Sequence, residues 1–285
     1  MAISLRFPAP RRWALTVAVV ALCGCAVNPV TGQRELSLVS EQQELAIGAA
    51  NYANYRQQQG GDYYLEPQLS DYVADIGRRL AAHSDRPELP YEFVVVNNPT
   101  ANAWALPGGK IAINSGLLRH LTDEAQLAAV IGHEIIHAAA RHGAAQMSRG
   151  MLLNVGLAAI AVGSQGSSAE WLGTASQYGA AAWMARYGRD DELESDYYGI
   201  KLMVAAGYDP QAAVELQQTF VKLSEGRDSD FIAALFASHP PSPERVAANK
   251  VTLAKIGAGG EMGKETYAKK VKHLKATKSA YIAYD

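Results

Sequence analysis

From Ser40 to Ile256 the chain moves between apolar positions at helical spacing and short β-branched runs. Ser40, with Gln43 three residues on, is a capping-box pair that opens a helix to about Gln58, where Gly60-Gly61 ends it. A second amphipathic helix covers Pro67 to Ala82. Tyr91 to Asn97 (YEFVVVN) is aromatic and β-branched and reads as a strand. Trp104 to Leu106 and Lys110 to Ile113 flank Pro107-Gly108-Gly109, a hairpin pattern. Thr122 is placed to cap a further helix, with Asp123 and Glu124 in the first turn where carboxylates suit the dipole, running to about Met147. Further helices follow from Asp190 to Ala206, closed by Gly207, from Asp209-Pro210, and after Pro243. There is no internal repeat. The pattern predicts one α+β domain, mostly helical, with a small sheet.

Two apolar stretches need separate treatment. Met151 to Val162 is apolar apart from Asn154, but crossing ~30 Å of hydrocarbon takes about 20 helical residues, so this stretch reads as a buried helix before the glycine/serine run Gly163 to Ser168. Trp13 to Leu22, preceded by Arg6, Arg11 and Arg12, has the form of an export signal. It ends in Leu22-Cys23-Gly24-Cys25, which resembles the bacterial lipobox. That resemblance implies that Cys23 leaves with the signal and Cys25 carries the lipid. Ala26 then implies no inner-membrane retention, hence an outer-membrane anchor facing the periplasm. An ordinary secretory signal with two incidental cysteines is the plainer alternative. The expected layout is a signal peptide at 1–24, a lipidated linker at 25–39, a domain at 40–250 and a lysine-rich tail at 251–285 whose charge faces solvent.

Composition narrows the classes. A chain of 285 residues with 48% hydrophobic and 19% charged residues holds a sizeable core. A net charge of -2 supplies no basic field for nucleic acid. Two cysteines exclude a disulfide framework.

The chemistry is concentrated in His133-Glu134-Ile135-Ile136-His137, an H-E-x-x-H motif inside the helix capped near Thr122. Histidines four apart share a helix face and can reach one metal ion, and Glu134 projects beside them as a base for activated water. Zinc suits imidazole and carboxylate donors, and its catalytic sites take three protein ligands. The third is to be found among Glu192, Glu194 and Asp196.

The motif followed by Glu192-Leu193-Glu194-Ser195-Asp196 resembles the zinc metallopeptidase family of the CAAX prenyl protease and HtpX, in the soluble lipoprotein branch with BepA and LoiP. Three other segments share the resemblance: CAVNPVTG from Cys25, NAWALPGGKIAI from Asn102, and HPPSPER from His239 to Arg245. It implies a gluzincin-like fold around the H-E-x-x-H helix, one Zn2+ per chain, and Glu192 as the third ligand. Helix geometry agrees, since Glu192 and Asp196 share a face and Asp196 can orient a ligand histidine, whereas Glu194 lies ~200° around and reads as a solvated charge. The resemblance also places His239 near the metal, as an oxyanion donor or a plug in the open position, with Arg245 supporting the ligands. His83, His120, His142 and His273 read as ordinary. The implied function is a zinc endopeptidase that removes misfolded or misassembled envelope proteins. A non-hydrolytic chaperone on the same scaffold is the alternative, though it would have no use for Glu134.

Overall fold

The computed structural model describes residues 25–163, 187–225 and 232–274. The signal-peptide reading at 1–24, the glycine/serine run from 164 and the tail from 275 lie outside the described residues. The chain opens with a hairpin, β1 (Cys25–Val27) and β2 (Arg34–Leu36), followed by helices α1 (Glu41–Gln58) and α2 (Pro67–Ala81). A sheet follows, made of β3 (Glu92–Val96), β4 (Ala103–Leu106) and β5 (Lys110–Asn114). Then come α3 (Ser115–Leu118), α4 (Glu124–Ala139), α5 (His142–Gly163), α6 (Arg189–Ala205), α7 (Gln211–Glu225), α8 (Ala233–Ser238), α9 (Pro243–Ile256) and α10 (Lys264–Val271).

The α+β expectation holds, and the sheet explains why. β4 and β5 form the hairpin, turned at Gly108 and Gly109, whose φ of 75° and 78° suits residues without a Cβ. β5 lies in the middle, antiparallel to β4 and parallel to β3, so every one of its residues is buried. Val95, Ile111 and Ile113 pack with Leu80 of α2 and with Leu127, Ile131 and Ile135 of α4 in one core. Helix α4 is wrapped by the sheet, α2, α6 and α7, which buries every residue of it except Ala129. The H-E-x-x-H motif therefore sits on a helix enclosed on nearly every side.

Several local expectations are corrected. The N-cap of α4 is Asp123, not Thr122. Asp123 Oδ1 accepts the Gln126 N–H at 2.8 Å, while Thr122 donates its hydroxyl to Asp123 and its N–H to Gln126 Oε1. The same helix stops at Ala139 instead of reaching Met147, because Arg141 adopts φ 64°. A left-handed residue with a Cβ costs about 1–2 kcal/mol. Here it is held by bonds from Nε to Glu44 Oε2 at 2.7 Å and from Nη2 to the Val39 carbonyl at 2.8 Å. Met151, Leu152 and Leu153 are 40%, 44% and 69% exposed, so the apolar stretch does not begin in the core. No helix among the described residues is long and apolar enough to cross a membrane.

Both ends of the expected domain also extend. Residues 25–36 form a hairpin with buried Asn28 and Val30 where a linker was expected. Beyond residue 250, α10 turns its lysines outward but buries Tyr267 to 1% exposure, with its hydroxyl bonded to the Leu118 carbonyl. Met262 O accepts the Ala125 N–H at 3.1 Å, so this segment closes the first turn of the metal helix.

Candidate metal centre

Two helices build the site, and two glycines set their separation. A Cβ added at Gly132 of α4 would come within 3.1 Å of the Gly199 carbonyl on α6, and one added at Gly199 within 3.1 Å of His133 N. Side chains there would hold the helices further apart. Their absence lets Glu192 in the first turn of α6 reach both histidines of α4. Nε2 of His133 and Nε2 of His137 stand 3.0 Å apart. Glu192 Oε2 is 3.6 Å from the first and Oε1 is 3.4 Å from the second. His239, at the C-cap of α8, places Nδ1 3.0 Å from Glu192 Oε1 and 3.2 Å from His133 Nε2. The four donors lie within 4.8 Å of one another, and all four residues are buried.

These separations suit zinc. Tetrahedral donors at ~2.0–2.1 Å from an ion lie ~3.3 Å from one another, and the contacts here run from 3.0 to 3.6 Å. Formal charge gives a second test. Glu134, Glu192 and Asp196 are three buried carboxyl groups grouped with one buried guanidinium, Arg245, so the group is richer in acid than in arginine, as a cation site requires. Buried charge without compensation is strongly unfavourable.

The neighbours of each donor define its state. Burial pushes the Glu134 carboxyl up, and its Oε2 has no hydrogen-bond partner, while Oε1 lies 3.5 Å from His239 Nε2. Burial acts to raise Glu192 too, but His239 and His133 outweigh it and hold that carboxyl well below its usual range. Burial holds His137 well below the ordinary imidazole value, which favours a free lone pair, and Tyr187 stacks on its ring with centroids 3.8 Å apart. In His239, burial is outweighed by Glu192 and Glu134, which raise its proton affinity. Asp196 takes His133 Nδ1 at 3.0 Å and is itself clamped by Arg245 through Nε and Nη2, each at 2.7 Å. Arg245 Nη1 also lies 2.6 Å from Glu192 Oε2, so one guanidinium supports both carboxylates of α6. Ser242 fixes the Arg245 backbone by capping α9.

The structure brings His133, Glu134, His137, Glu192, Asp196, His239 and Arg245 together. Two residues do not behave as expected. Glu194 does turn away from the four donors, but into packed structure: its side chain is only 18% exposed, it lies 3.3 Å from His142 Nε2 and it accepts from Asn28 Nδ2 at 2.8 Å. His142, read as ordinary, is fully buried with Nδ1 2.9 Å from Nδ1 of His137. Its only sequence signal is an apolar setting, between Ala138-Ala139-Ala140 and Gly143-Ala144-Ala145.

Beside the donors, a cavity of about 200 Å³ is lined by Trp104, Ala105, Tyr187, Ala234, Ser238 and His239. β4 forms one wall of it and pairs only with β5, so its other edge carries no strand among the described residues.

The sequence profile described as Peptidase family M48 matches residues 67–252, which spans α2 to α9 and every donor. The chain belongs to peptidase family M48. That family is one of zinc metalloendopeptidases, in agreement with the donor set. The M48 chain is 32% identical over 213 residues to the beta-barrel assembly-enhancing protease of Escherichia coli (strain K12), covering 67% of this chain and 42% of that protein. It is 35% identical over 166 residues to the mitochondrial metalloendopeptidase OMA1 of Arabidopsis thaliana, covering 58% of this chain and 32% of the relative. Against the metalloprotease YcaL of Escherichia coli (strain K12) it is 31% identical over 156 residues, covering 55% and 59%. The chain spans about half the length of the curated relatives it matches.

Proposed function

We propose that this M48 chain is an endopeptidase that cleaves misfolded or misassembled envelope proteins, held at the periplasmic face of the outer membrane by a lipid on Cys25. The catalytic part of the reading is carried by the four-donor group with the unpartnered oxygen of Glu134 beside it. His133, His137 and Glu192 would hold the ion. Zinc bound there supplies a Lewis acid for the scissile carbonyl and lowers the pKa of water towards ~7. Glu134 takes the proton of the attacking water and returns it to the leaving amine, and its burial makes it a stronger base than an exposed glutamate. Asp196 fixes the His133 ring, and Arg245 keeps Asp196 ionised. An extended substrate adds to the edge of β4 that carries no strand among the described residues, where backbone bonds set its register beside the donors. His239, with Nδ1 against Glu192 and His133, would serve as a fourth donor to the ion in the substrate-free protein and would swing out for hydrolysis, leaving its ring to donate to the oxyanion. Pro240 and Pro241 stiffen the segment that carries it.

The quality-control role is supported by the likeness to the beta-barrel assembly-enhancing protease, and the anchor by the lipobox-like residues before β1. The decisive experiment compares cleavage of an unfolded protein by the mature chain and by Glu134→Gln, with zinc content measured in both. Equal zinc and loss of cleavage in the variant are expected; cleavage at the parent rate by Glu134→Gln would remove Glu134 as the base, and no cleavage by the parent would end the hydrolytic reading.

A further inference from the structure

Behind His137 runs a chain of polar contacts that the hydrolytic step does not use, and donor counting gives its direction. A ligating nitrogen presents a lone pair, so with Nε2 of His137 turned to the metal position its ring proton sits on Nδ1. That N–H meets Nδ1 of His142 at 2.9 Å, which is therefore the acceptor. His142 then carries its own proton on Nε2, 3.3 Å from Glu194 Oε1. The same Glu194 oxygen accepts from Asn28 Nδ2 at 2.8 Å, and Asn28 also donates to Glu35 Oε1 at 2.8 Å. Ser195 Oγ, at 3.5 Å from His142 Nδ1, is too distant to compete with His137. With these tautomers His137 donates to His142, and the His142 Nε2 proton faces Glu194 across a 3.3 Å polar contact whose angle falls short of a hydrogen bond.

We infer that His142 is a positioning residue for His137, and that Asn28 of the β1–β2 hairpin completes its support through Glu194. The inference rests on the zinc reading above. Ligand histidines usually give their second N–H to a carboxylate or a carbonyl; here an imidazole is interposed and the carboxylate lies one ring further out. The backbone is shaped for this. In an unbroken helix residue 142 would point ~140° away from residue 137, at 100° per residue. The left-handed turn at Arg141 restarts the helix and brings the two rings to a centroid separation of 4.9 Å. Asn28 lies three positions after Cys25, so the chain ties the first ordered turn after the lipidation position to a metal ligand.

The test measures zinc affinity of the mature chain by competition with a chromophoric chelator, with cleavage of an unfolded protein followed in parallel. His142→Ala should weaken zinc by ~10- to 100-fold, the usual effect of losing a partner behind a ligand. His142→Asn keeps an acceptor oxygen near the Nδ1 position and should lie closer to the parent than to His142→Ala. His142→Phe refills the volume without an acceptor, so a purely structural role predicts rescue whereas positioning predicts none. Parent-like zinc affinity in His142→Phe overturns the inference. If variants at 142 do not fold, Glu194→Ala probes the same chain from its partly exposed end; a several-fold weaker zinc site supports the inference and an unchanged one overturns it. Failure of the zinc reading itself would look different: the parent chain would bind no zinc and Glu134→Gln would cleave normally.

Discussion

Replacing Arg245 with methionine tests the charge balance of the centre most directly. Methionine keeps much of the stem's packing and removes the cation that bonds Asp196 twice at 2.7 Å and sits 2.6 Å from Glu192. Glu134, Glu192 and Asp196 are then three buried carboxylates with no arginine among them. Breaking a buried ion pair from one side costs about 3–5 kcal/mol, because the stranded charge stays desolvated. In a domain of this size 1 kcal/mol moves the melting temperature by about 2–4 °C, so the metal-free variant should melt ~6–20 °C below the parent. Zinc restores two positive charges, and the loaded variant should lose less. By linkage, a variant destabilised less when loaded than when empty binds zinc more tightly. The pH sign is also fixed. Without Arg245 the folded-state pKa of Asp196 rises, the folded variant takes up protons, and its deficit shrinks as pH falls. Thermal melts with EDTA and with zinc, across pH, supply the data. A metal-free variant within about 2 °C of the parent, less than 1 kcal/mol, would refute the argument.

Glu192→Ala should abolish or severely weaken zinc binding in the chelator assay, while Asp196→Ala should weaken it by an intermediate ~10- to 100-fold; the reverse order would reassign the third ligand. Because burial raises the Glu134 pKa and the base must be ionised, the acid limb of kcat/KM should lie above the ordinary carboxylate range and activity should fall as pH drops through it; a limb at the value of an exposed glutamate would contradict this. Gly199→Val should push α6 from α4, costing about 1–3 kcal/mol as overpacking and weakening zinc more than a mutation of equal stability cost far from the site; parent-like zinc affinity would show that the close crossing is dispensable.

What the sequence made legible was local in origin. H-E-x-x-H on a capped helix and the i, i+4 pair Glu192 and Asp196 rest on helix periodicity alone, and the structure places all of them as that periodicity requires. The β4–β5 hairpin was marked by Pro107-Gly108-Gly109. The parallel pairing of β3 with β5 leaves no mark in either strand. The break at Arg141 was hidden because no glycine signals it; its left-handed backbone is held by Glu44, 97 positions earlier. That break in turn hid His142, whose distance from His137 in sequence is wrong for an unbroken helix face. Glu194 was placed on the correct side of its helix and misjudged only because Asn28 of the hairpin covers it. In the lysine-rich tail the described lysines do face solvent, and what the charge count did not mark was the single buried tyrosine, Tyr267.

The backbone contact between Gly132 and Gly199 also bears on which ions the centre accepts. Affinity alone does not select zinc, because copper binds most nitrogen and oxygen sites more strongly. Two helices in van der Waals contact cannot approach further, and the sheet behind α4 opposes their separation. The three donors carried by α4 and α6, His133, His137 and Glu192, are thereby held near one size and one shape. Calcium would require six to eight oxygens at ~2.3–2.6 Å, and square-planar copper or nickel would require the four donors to flatten. Either change would have to move a helix backbone instead of a side chain. A missing pair of side chains thus works as a size gauge for the metal.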